Sequence, residues 1–507
     1  MTFPFLQSLP LSTQFLPLAI VLSSLIPALL IFALSDRQAT LRTALNIAGV
    51  FIKLVLVVWM LYGVSQGHSY RFSLPFLPGG GLVLRGDALA LQFVTLSAVL
   101  WLATTFYAIG YLKGTALQSR FFGYFSLCVS TTVGLALAGN LVTFLLFYEL
   151  LTLATFPLVV HKGTPEALRA GRRYLAYTVS GGAFVLLGAA VLHSLVGTPN
   201  FVEGGYLAAT SENRAHLALA FVLLIAGMGV KAALFPLHSW LPNAMVAPAP
   251  VSALLHAVAV VKAGAFGMIR VVYDVFGVET VSALGLNEPL LWMAAFTVLY
   301  GSVQALRQQE LKKRLAFSTV SQVSYIALGI AMLSPLAATG ALVHLVHQGL
   351  MKVTLFYCAG SFAEQLGIHR IRELDGAGRR MPLTMLAFTI GALGMIGVPP
   401  IAGFISKWYL GLGALESGYD WVLGVLIISG LLNAAYFLPL LYRGWFAVPS
   451  RDIAQAPRRA LGRECHWMML WPAVFTAGLA LAVGLLAGLD ISPLAWARFI
   501  VEREFDV

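Results

Sequence analysis

Long apolar runs follow one another along almost the whole chain, and only short polar stretches separate them. A helix that spans a bilayer needs about 20 apolar residues, so this pattern predicts an all-α, polytopic membrane protein with about fourteen transmembrane helices. The predicted spans are residues 15–35, 41–64, 88–111, 121–139, 141–160, 172–195, 215–235, 249–275, 289–306, 314–334, 337–362, 382–412, 421–446 and 467–489. Pro75, Pro78 and three consecutive glycines predict a surface turn or hairpin at residues 70–87.

The composition supports a membrane protein: 59% of the 507 residues are hydrophobic, 10% are charged, and the mean hydropathy is +0.85. The N-terminus lacks the basic region of a signal peptide, and its first apolar run is long enough to span, so we expect no cleaved signal. The net charge of +11 indicates basic loops in a membrane protein rather than a nucleic-acid partner.

The three cysteines are isolated and form no CxxC pair, which argues against iron–sulfur and structural zinc sites. We expect no cofactor, no metal and no catalytic site in this chain. Two of the cysteines, Cys128 and Cys358, fall in apolar runs, where a free cysteine behaves as a small buried hydrophobe.

The distribution of basic residues predicts the topology. If the N-terminus lies outside, the loops after odd-numbered spans face the cytoplasm, and these loops hold 21 of the 32 lysines and arginines. The opposite loops hold six, and the other five lie inside spans. Cytoplasmic loops of membrane proteins are enriched in Lys and Arg. The bias therefore predicts an even number of spans and both termini outside. The membrane that we expect is the cytoplasmic membrane of a bacterium or archaeon.

Two of the predicted spans are interrupted by proline. Pro236 follows the seventh span closely, and Pro399 and Pro400 interrupt the twelfth. A proline removes a backbone hydrogen bond, and at membrane depth such a break is tolerated where it is buried in protein or lines a wet cavity. The breaks are five spans apart, which predicts two inverted five-helix units. The expected divisions are residues 1–120, 121–275, 276–446 and 447–507, the last comprising a basic loop and helix 14.

Four of the charged residues within the predicted spans are the main candidates for chemistry: Glu149, Lys231, Lys262 and Lys407. A charge at the bilayer centre costs at least ~2.5 kcal/mol, and such residues mark ion and proton pathways. We predict that Glu149 and Lys231 pair across spans 5 and 7. At ~4 Å and an effective dielectric constant near 20 their attraction is about 4 kcal/mol, so breaking the pair would favour release of the lysine's proton.

Further polar residues extend the predicted path. His256 lies six residues before Lys262, about one and two-thirds helical turns away, so water would be needed to connect them. His256 is either a relay or a structural histidine. His344, His347 and Lys352 lie at the centre of span 11, where a hydrated proton path is favoured over a metal site because no carboxylate lies near them in sequence. Lys53 in span 2 is interpreted as structural or interfacial.

These motifs resemble the antiporter-like subunits of respiratory complex I, membrane-bound hydrogenases and Mrp-type cation/proton antiporters. The resemblance covers about residues 85–445. The matching segments are FYELLTLATFPLVVH (147–161), GVKAALFPLHSWLPNAMVAPAPVSALLHAVAVVKAG (229–264), LKKRLAFSTVSQVSYIALG (311–329) and GALGMIGVPPIAGFISKWYL (391–410). The resemblance implies a glutamate–lysine pair at Glu149 and Lys231, a central lysine at Lys262, a terminal lysine at Lys407, and fourteen helices in two inverted units.

The sequence is most similar to the D-type subunit of Mrp antiporters, on the phrases EQLGIHRIRELDGAGRRMP and GFISKWYL and on the lysine at position 407. It departs from the family at His347–Gln348, where relatives often have Asn-His, so the relay role of His347 is in question. The resemblance implies other membrane subunits as partners and transport of protons, with Na⁺ as a further candidate.

Three alternatives stay open at this point. The first is a subunit of a Mrp-type Na⁺/H⁺ antiporter. The second is a proton-pumping or proton-conducting subunit of a complex I-like quinone oxidoreductase, a membrane hydrogenase or a gradient-driven complex such as one for inorganic-carbon uptake, in which any redox centre would belong to partners. The third is a stand-alone solute/proton symporter.

Overall fold

The structure, a computed structural model, describes residues 13–77, 80–449 and 461–505. Part of the predicted turn (Pro78 and Gly79), the N-terminal residues 1–12 and the basic residues between 450 and 460 lie outside the described residues. The first half contains helices α1 (Leu16–Phe32), α2 (Ala39–Ser65), α3 (Ala88–Tyr111), α4 (Gln118–Ala136), α5 (Leu141–Val159), α6 (Pro165–Val196), α7 (Arg214–Ala232), α8 (Trp240–Asn243), α9 (Ala249–Ala257) and α10 (Val260–Arg270), with strands β1 (Tyr70–Leu77) and β2 (Gly80–Gly86).

The second half contains helices α11 (Val278–Leu284), α12 (Asn287–Arg307), α13 (Leu311–Ala331), α14 (Pro335–Leu366), α15 (Pro382–Ile396), α16 (Ala402–Glu416), α17 (Trp421–Trp445), α18 (Trp467–Leu485) and α19 (Pro493–Glu504). Within the described residues, nine helices are long and apolar enough to cross a membrane by length and composition, and α1 and α15 are shorter apolar helices. A multi-pass α-helical membrane protein is therefore confirmed. The count of fourteen spans stays a prediction.

The predicted hairpin is confirmed. Strands β1 and β2 pair antiparallel, with Tyr70 opposite Gly86. The hairpin packs on the start of α5, where the Val83 N–H donates to Thr143 Oγ1 at 2.9 Å and the Asn140 side chain donates to the Gly81 carbonyl at 2.9 Å. These bonds satisfy backbone groups that the two-stranded ribbon would otherwise leave unpaired.

Both predicted helix breaks are present. Helix α7 ends before Ala233, which adopts a left-handed conformation with φ of 59°, and the next helical turn begins only at Trp240. Helix α15 ends before Gly397, with φ of 98°, and α16 begins at Ala402. Pro236, Pro399 and Pro400 lie inside these breaks and lack the N–H groups that a continuous helix would require.

The eighth predicted span is also broken, which the sequence did not predict. Val258 (φ −134°, ψ −54°) and Ala259 (φ −81°, ψ −91°) leave the helical region between α9 and α10, and residues Val271–Phe276 form a π-helical segment after α10. No proline or glycine marks the first break. The continuous-helix spacing that we predicted between His256 and Lys262 is therefore wrong.

Loops that alternate along the chain meet at two ends of the bundle. One end, here the hairpin face, carries residues 70–86, 197–213, 277–286 and α19. For example, Arg85 Nη1 donates to the Phe201 carbonyl at 2.8 Å. The other end, here the basic face, carries residues 33–38, 112–117, 308–310 and 367–381. There Asp36 accepts the N–H groups of Leu117 and Ser119, and the Ile371 N–H bonds to the Gln309 carbonyl. This alternation is what successive membrane crossings require.

Asp36 anchors the basic face across two loops. Its carboxylate lies 2.7 Å from the Leu117 nitrogen and 2.9 Å from the Ser119 nitrogen, at the start of α4. The hydrogen bond from the Ser119 backbone lowers the pKa of Asp36 below its usual value. A carboxylate at a helix N-terminus is favoured because it satisfies unpaired N–H groups and complements the helix dipole.

Candidate functional site

Glu149 is half-buried on α5 and faces α6. Its Oε1 atom is buried and has no hydrogen-bond partner among the residues that the structure describes. Opposite it lies Gly182, where a Cβ atom would overlap Oε1. The glycine therefore makes the room that the carboxylate occupies, as expected where a polar group approaches a helix backbone closely.

Lys231 is fully buried in the last turn of α7. Its Nζ donates a hydrogen bond to the Tyr148 carbonyl and lies 3.3 Å from the centroid of the Tyr148 ring. The Tyr148 hydroxyl in turn donates to the Gly227 carbonyl at 2.7 Å. One tyrosine therefore joins α5 to α7 and holds the ammonium group through its carbonyl and its ring face.

The predicted contact between Glu149 and Lys231 is formed only in part. The two side chains interact electrostatically, but the ion pairs within 4.0 Å that the structure shows do not include them. The reason is local: the residue before Glu149 supplies the carbonyl that takes the ammonium group, while the carboxylate turns to Gly182.

Lys262 is fully buried on α10, and its Nζ has no hydrogen-bond partner within the described part of the chain. It interacts electrostatically with His344, His347 and Lys352 of α14. Its helix also touches the Lys231 region, since a Cβ atom at Gly264 would overlap the backbone at Ala232. Lys262 therefore lies between the α5–α7 pair and the polar centre of α14.

His344 connects three helices at the centre of the bundle. Its Nδ1 is hydrogen-bonded to Ser406 Oγ of α16 at 2.8 Å, and its Nε2 to the Gln322 carbonyl of α13 at 3.1 Å. His347, one turn later, is fully buried and lies close to the Ala402 backbone. Because each ring nitrogen of an imidazole can donate or accept according to its tautomer, His344 has the contacts of a relay.

Lys352 is bonded to α13 rather than to another titratable group. Its Nζ donates to the Leu315 carbonyl at 3.1 Å and to Ser318 Oγ at 2.7 Å, and Ser318 also accepts from the Tyr436 hydroxyl at 2.9 Å. His256 of α9 interacts electrostatically with Lys352 and packs its ring on Phe356, 4.6 Å between centroids. These two residues therefore lie beside the centre of α14.

Lys407 of α16 reaches back across the second helix break. Its Nζ donates to the carbonyls of Met395 and Ile396, each at 2.8 Å, at the end of α15. It thus neutralises carbonyl groups at a helix C-terminus, where a cation is favoured. Lys231 precedes the first helix break, whereas Lys407 follows the second.

The predicted residues lie on neighbouring helices of the bundle, and we call this set the polar row. It comprises Glu149, Lys231, Lys262, His344, His347 and Lys407, with His256 and Lys352 beside it. Lys53 lies apart, among α1, α2 and α3. It is fully buried, donates to Ser24 Oγ at 2.6 Å and lies 4.7 Å from the Trp101 ring centroid, which supports the structural interpretation over the interfacial one.

Sequence reasoning missed the polar partners that hold the row. They are Tyr148, Ser318, Gln322, Ser406 and Tyr436. A signal was present for two of them: Ser318 and Gln322 belong to a dense set of polar residues in α13, a helix otherwise apolar enough to be predicted as a span. Hydroxyl and amide groups inside a membrane bundle bond across helices, so this set could have been recognised.

The fold and the row together define a class: a helical membrane subunit with broken helices and a buried line of lysines, histidines and one acid. A family profile described as NADH:quinone oxidoreductase/Mrp antiporter, transmembrane region, matches residues 138–433. The chain belongs to this family.

Two relatives illustrate its range. The chain is 37% identical over 401 residues to the N-type subunit of NADH-quinone oxidoreductase from Desulforudis audaxviator, covering 78% of this chain and 79% of the relative. It is 26% identical over 470 residues to the D-type subunit of the Na⁺/H⁺ antiporter from Bacillus subtilis, covering 92% of each chain. Both relatives are named as subunits of larger assemblies.

A solved structure shares the whole fold. The structure of the Mrp complex from Dietzia sp. DQ12-45-1b superposes with a TM-score of 0.85 at 21% identity, over 97% of this chain and 98% of that chain. The arrangement of helices described above is therefore the fold of an antiporter-like membrane subunit.

Proposed function

We propose that this chain is the proton-translocating membrane subunit of a multisubunit Na⁺/H⁺ antiporter of the Mrp type. The observation that carries the proposal is the polar row, in which buried lysines and a histidine connect one broken helix to the other. Similarity to the Bacillus subtilis antiporter protein along nearly the full length of both chains supports the assignment.

In this proposal, protons move along the row by local charge changes. Lys262 lies near His344, His347 and Lys352, and like charges at close range disfavour one another. A proton that arrives at Lys262 would therefore favour loss of a proton from a neighbour. Histidine, whose unperturbed pKa lies near neutral pH, suits the intermediate position.

The two ends of the row would act as switches. At one end, Glu149 would rotate from Gly182 toward Lys231 and favour its protonated form. At the other, Lys407 holds the carbonyls at the end of α15 when protonated and would release them when it loses its proton. Each lysine lies beside a helix break, where the bundle can admit water.

The proposed orientation follows the basic residues. The basic face would be cytoplasmic and the hairpin face, with both termini, outside, in the cytoplasmic membrane of a bacterium or archaeon. Residues 121–275 and 276–446 would be the two inverted five-helix units. Other membrane subunits would be the partners, with protons and Na⁺ as the transported ions.

The proposal is tested with Lys262→Met in the native assembly reconstituted into lipid vesicles. Proton movement driven by a Na⁺ gradient is followed with a pH-sensitive dye, and we expect it to be abolished. Lys53→Met is the matched control, since Lys53 is a fully buried lysine outside the row and an apolar replacement of similar volume is often tolerated. Wild-type exchange by Lys262→Met would refute the proposal.

A second candidate is a proton-pumping subunit of a quinone oxidoreductase. It is favoured by the 37% identity to the N-type oxidoreductase subunit from Desulforudis audaxviator. Isolation of the native complex distinguishes the two: flavin or iron–sulfur proteins and quinone-dependent pumping indicate the redox complex, whereas Na⁺-dependent exchange without them indicates the antiporter.

A further inference from the structure

A second buried ionic cluster lies at the hairpin face, apart from the polar row. Arg270, at the end of α10, bonds to both carboxylate oxygens of Asp87 at 2.8 and 2.9 Å, and its Nη1 also lies 2.9 Å from Asp274 Oδ2. Asp274 is fully buried, and its Oδ1 has no hydrogen-bond partner in the described part of the chain. The Arg270 guanidinium group therefore donates to both buried carboxylates, and Asp274 Oδ1 is left without a hydrogen-bond partner among the described residues.

The C-terminal helix adds a third buried acid. Glu504 of α19 is 5% exposed, and its Oε2 accepts the Gly204 N–H at 2.9 Å. It interacts electrostatically with Asp274. The adjacent Tyr273 hydroxyl is also buried without a hydrogen-bond partner among the described residues. The Asp274 carbonyl accepts the Val202 N–H, two residues before the Gly204 N–H that Glu504 accepts, so both acids lie against the same loop.

The position of α19 is defined by side-chain contacts. Trp496 Nε1 donates to the Ala88 carbonyl at 2.9 Å, next to Asp87, and the rings of Phe505 and Tyr273 lie 5.6 Å apart between centroids. The helix therefore covers the cluster and holds Glu504 over it.

The charges of this cluster do not balance. The charged and titratable groups around the pair are Arg85 of β2, Asp87 at the start of α3, Glu203 and Tyr206 of the 197–213 loop, Arg270 of α10, Tyr273 of the π-helical segment, Glu279 of α11 and Arg503 of α19. Arg85 lies 3.8 Å from Asp87 but 3.1 Å from Glu203, and Arg503 is 3.9 Å from Glu203. Within the described part of the chain, only Arg270 is both buried and in contact with the buried acids.

Three buried carboxyl groups with one buried cation cannot all be ionised without a large desolvation cost, and such groups neutralise by binding a proton. A bound metal ion is a less suitable way to balance these charges, since the described residues contain no group of three or more acidic, histidine or cysteine side chains able to hold one. Two carboxyl groups that share a site commonly retain one proton between them.

We propose that Asp274 and Glu504 form a carboxyl pair that holds one exchangeable proton at the hairpin face. The pair lies outside the polar row, and its protonation does not depend on whether the chain transports protons. Burial also raises the pKa of Glu504 above its usual value.

The proton can reach the surface beside Glu504. A cavity of about 340 Å³ is lined by Gly205, Gly277, Glu279 and Glu504, and a second of about 430 Å³ is lined in part by Asp87. On the inward side of the cluster, α10 runs from Arg270 back to Lys262. These two residues are eight positions apart, which corresponds to about 12 Å along the helix axis at 1.5 Å per residue. A π-helical segment of the kind that holds Asp274 is rare and frequent at functional sites.

Infrared spectroscopy of the purified native complex tests the pair directly. We expect a protonated-carboxyl band at neutral pH that shifts in D₂O and is lost in both Asp274→Asn and Glu504→Gln. Glu502→Gln is the matched control, because Glu502 is an exposed acid on the same helix and should leave the band unchanged. Glutamine at 504 retains an oxygen to accept the Gly204 N–H, which protects the fold.

Two results would overturn the proposal. The first is a band of wild-type intensity in both Asp274→Asn and Glu504→Gln. The second is a band that disappears on addition of Na⁺ at fixed pH, which would make the pair a sodium site. Neither result depends on the exchange assay of Lys262→Met, so failure of the carboxyl pair and failure of the proposed transport function are distinguished.

Discussion

Gly182 of α6 lies directly against the carboxylate of Glu149 on α5, so closely that a Cβ atom at position 182 would overlap Oε1. Glu149, the only acid that we predicted inside the bundle, can therefore adopt this orientation because Gly182 has no side chain. The contact with Gly182 sets the side-chain orientation of Glu149 relative to Lys231. A substitution at Gly182 can therefore change this orientation while both charged residues stay unaltered.

We expect Gly182→Ala to displace the Glu149 carboxylate and to slow Na⁺-driven proton exchange in reconstituted vesicles severalfold. The added methyl group cannot be accommodated unless the side chain rotates. Gly424→Ala of α17 is the control, since no atom lies within 4 Å of its Cβ position. Equal exchange rates for the two variants would show that the orientation of Glu149 is unimportant.

The same logic applies at the other end of the row. At Gly397, φ is 98° and a Cβ atom would lie 2.9 Å from Lys407 Cδ. We expect Gly397→Ala to cost about 1–2 kcal/mol in backbone strain and also to displace Lys407, which lowers exchange. Thermal unfolding and vesicle assays measure the two effects.

The Gly418→Ala variant separates the effect of backbone strain from the effect of displacing Lys407. Gly418 has φ of 74° at the end of α16, with no atom within 4 Å of its Cβ position. We expect a similar loss of stability and wild-type exchange. If both variants transport equally, the close approach to Lys407 has no functional consequence.

Ser406→Ala removes the hydrogen bond to His344 Nδ1 and leaves the ring fully buried. Loss of one buried hydrogen bond costs about 1 kcal/mol. We also expect slower exchange and a shifted pH profile, since the imidazole loses the partner that orients it. Ser417→Ala, whose hydroxyl bonds only to backbone carbonyls, is the control, and an unchanged pH profile in Ser406→Ala would argue against a relay at His344.

The stability of the protein should depend on Glu504 in alkaline solution. Burial raises the pKa of Glu504 above its ordinary value of 4.5, so the folded protein binds this proton more tightly than the unfolded chain. The free energy of unfolding therefore falls as pH rises above 4.5. We expect Glu504→Gln to flatten this fall in thermal unfolding at a series of pH values, and the exposed Glu502→Gln to retain the wild-type slope. Parallel curves for all three proteins would contradict the raised pKa.

The sequence by itself determined the elements and the chemistry. Apolar runs of spanning length have no alternative in a bilayer to a helix that satisfies its own backbone, so the positions of α2, α3 and α5 follow closely from the pattern. Proline lacks the N–H group that a continuous helix needs, so the breaks after α7 and α15 were also predictable. Buried charges are costly, which made Glu149, Lys231, Lys262 and Lys407 recognisable as candidates before any packing was known.

Only the tertiary structure decided how these residues are connected. The break between α9 and α10 has no proline or glycine to mark it, so the sequence pattern could not predict it. The contact of Lys231 with the Tyr148 carbonyl, and that of Arg270 with Asp87, 183 positions away in sequence, depend on which helix faces meet. Hydrophobic periodicity gives the length and depth of a helix, but side-chain packing sets its rotation, and rotation determines which polar groups come into contact.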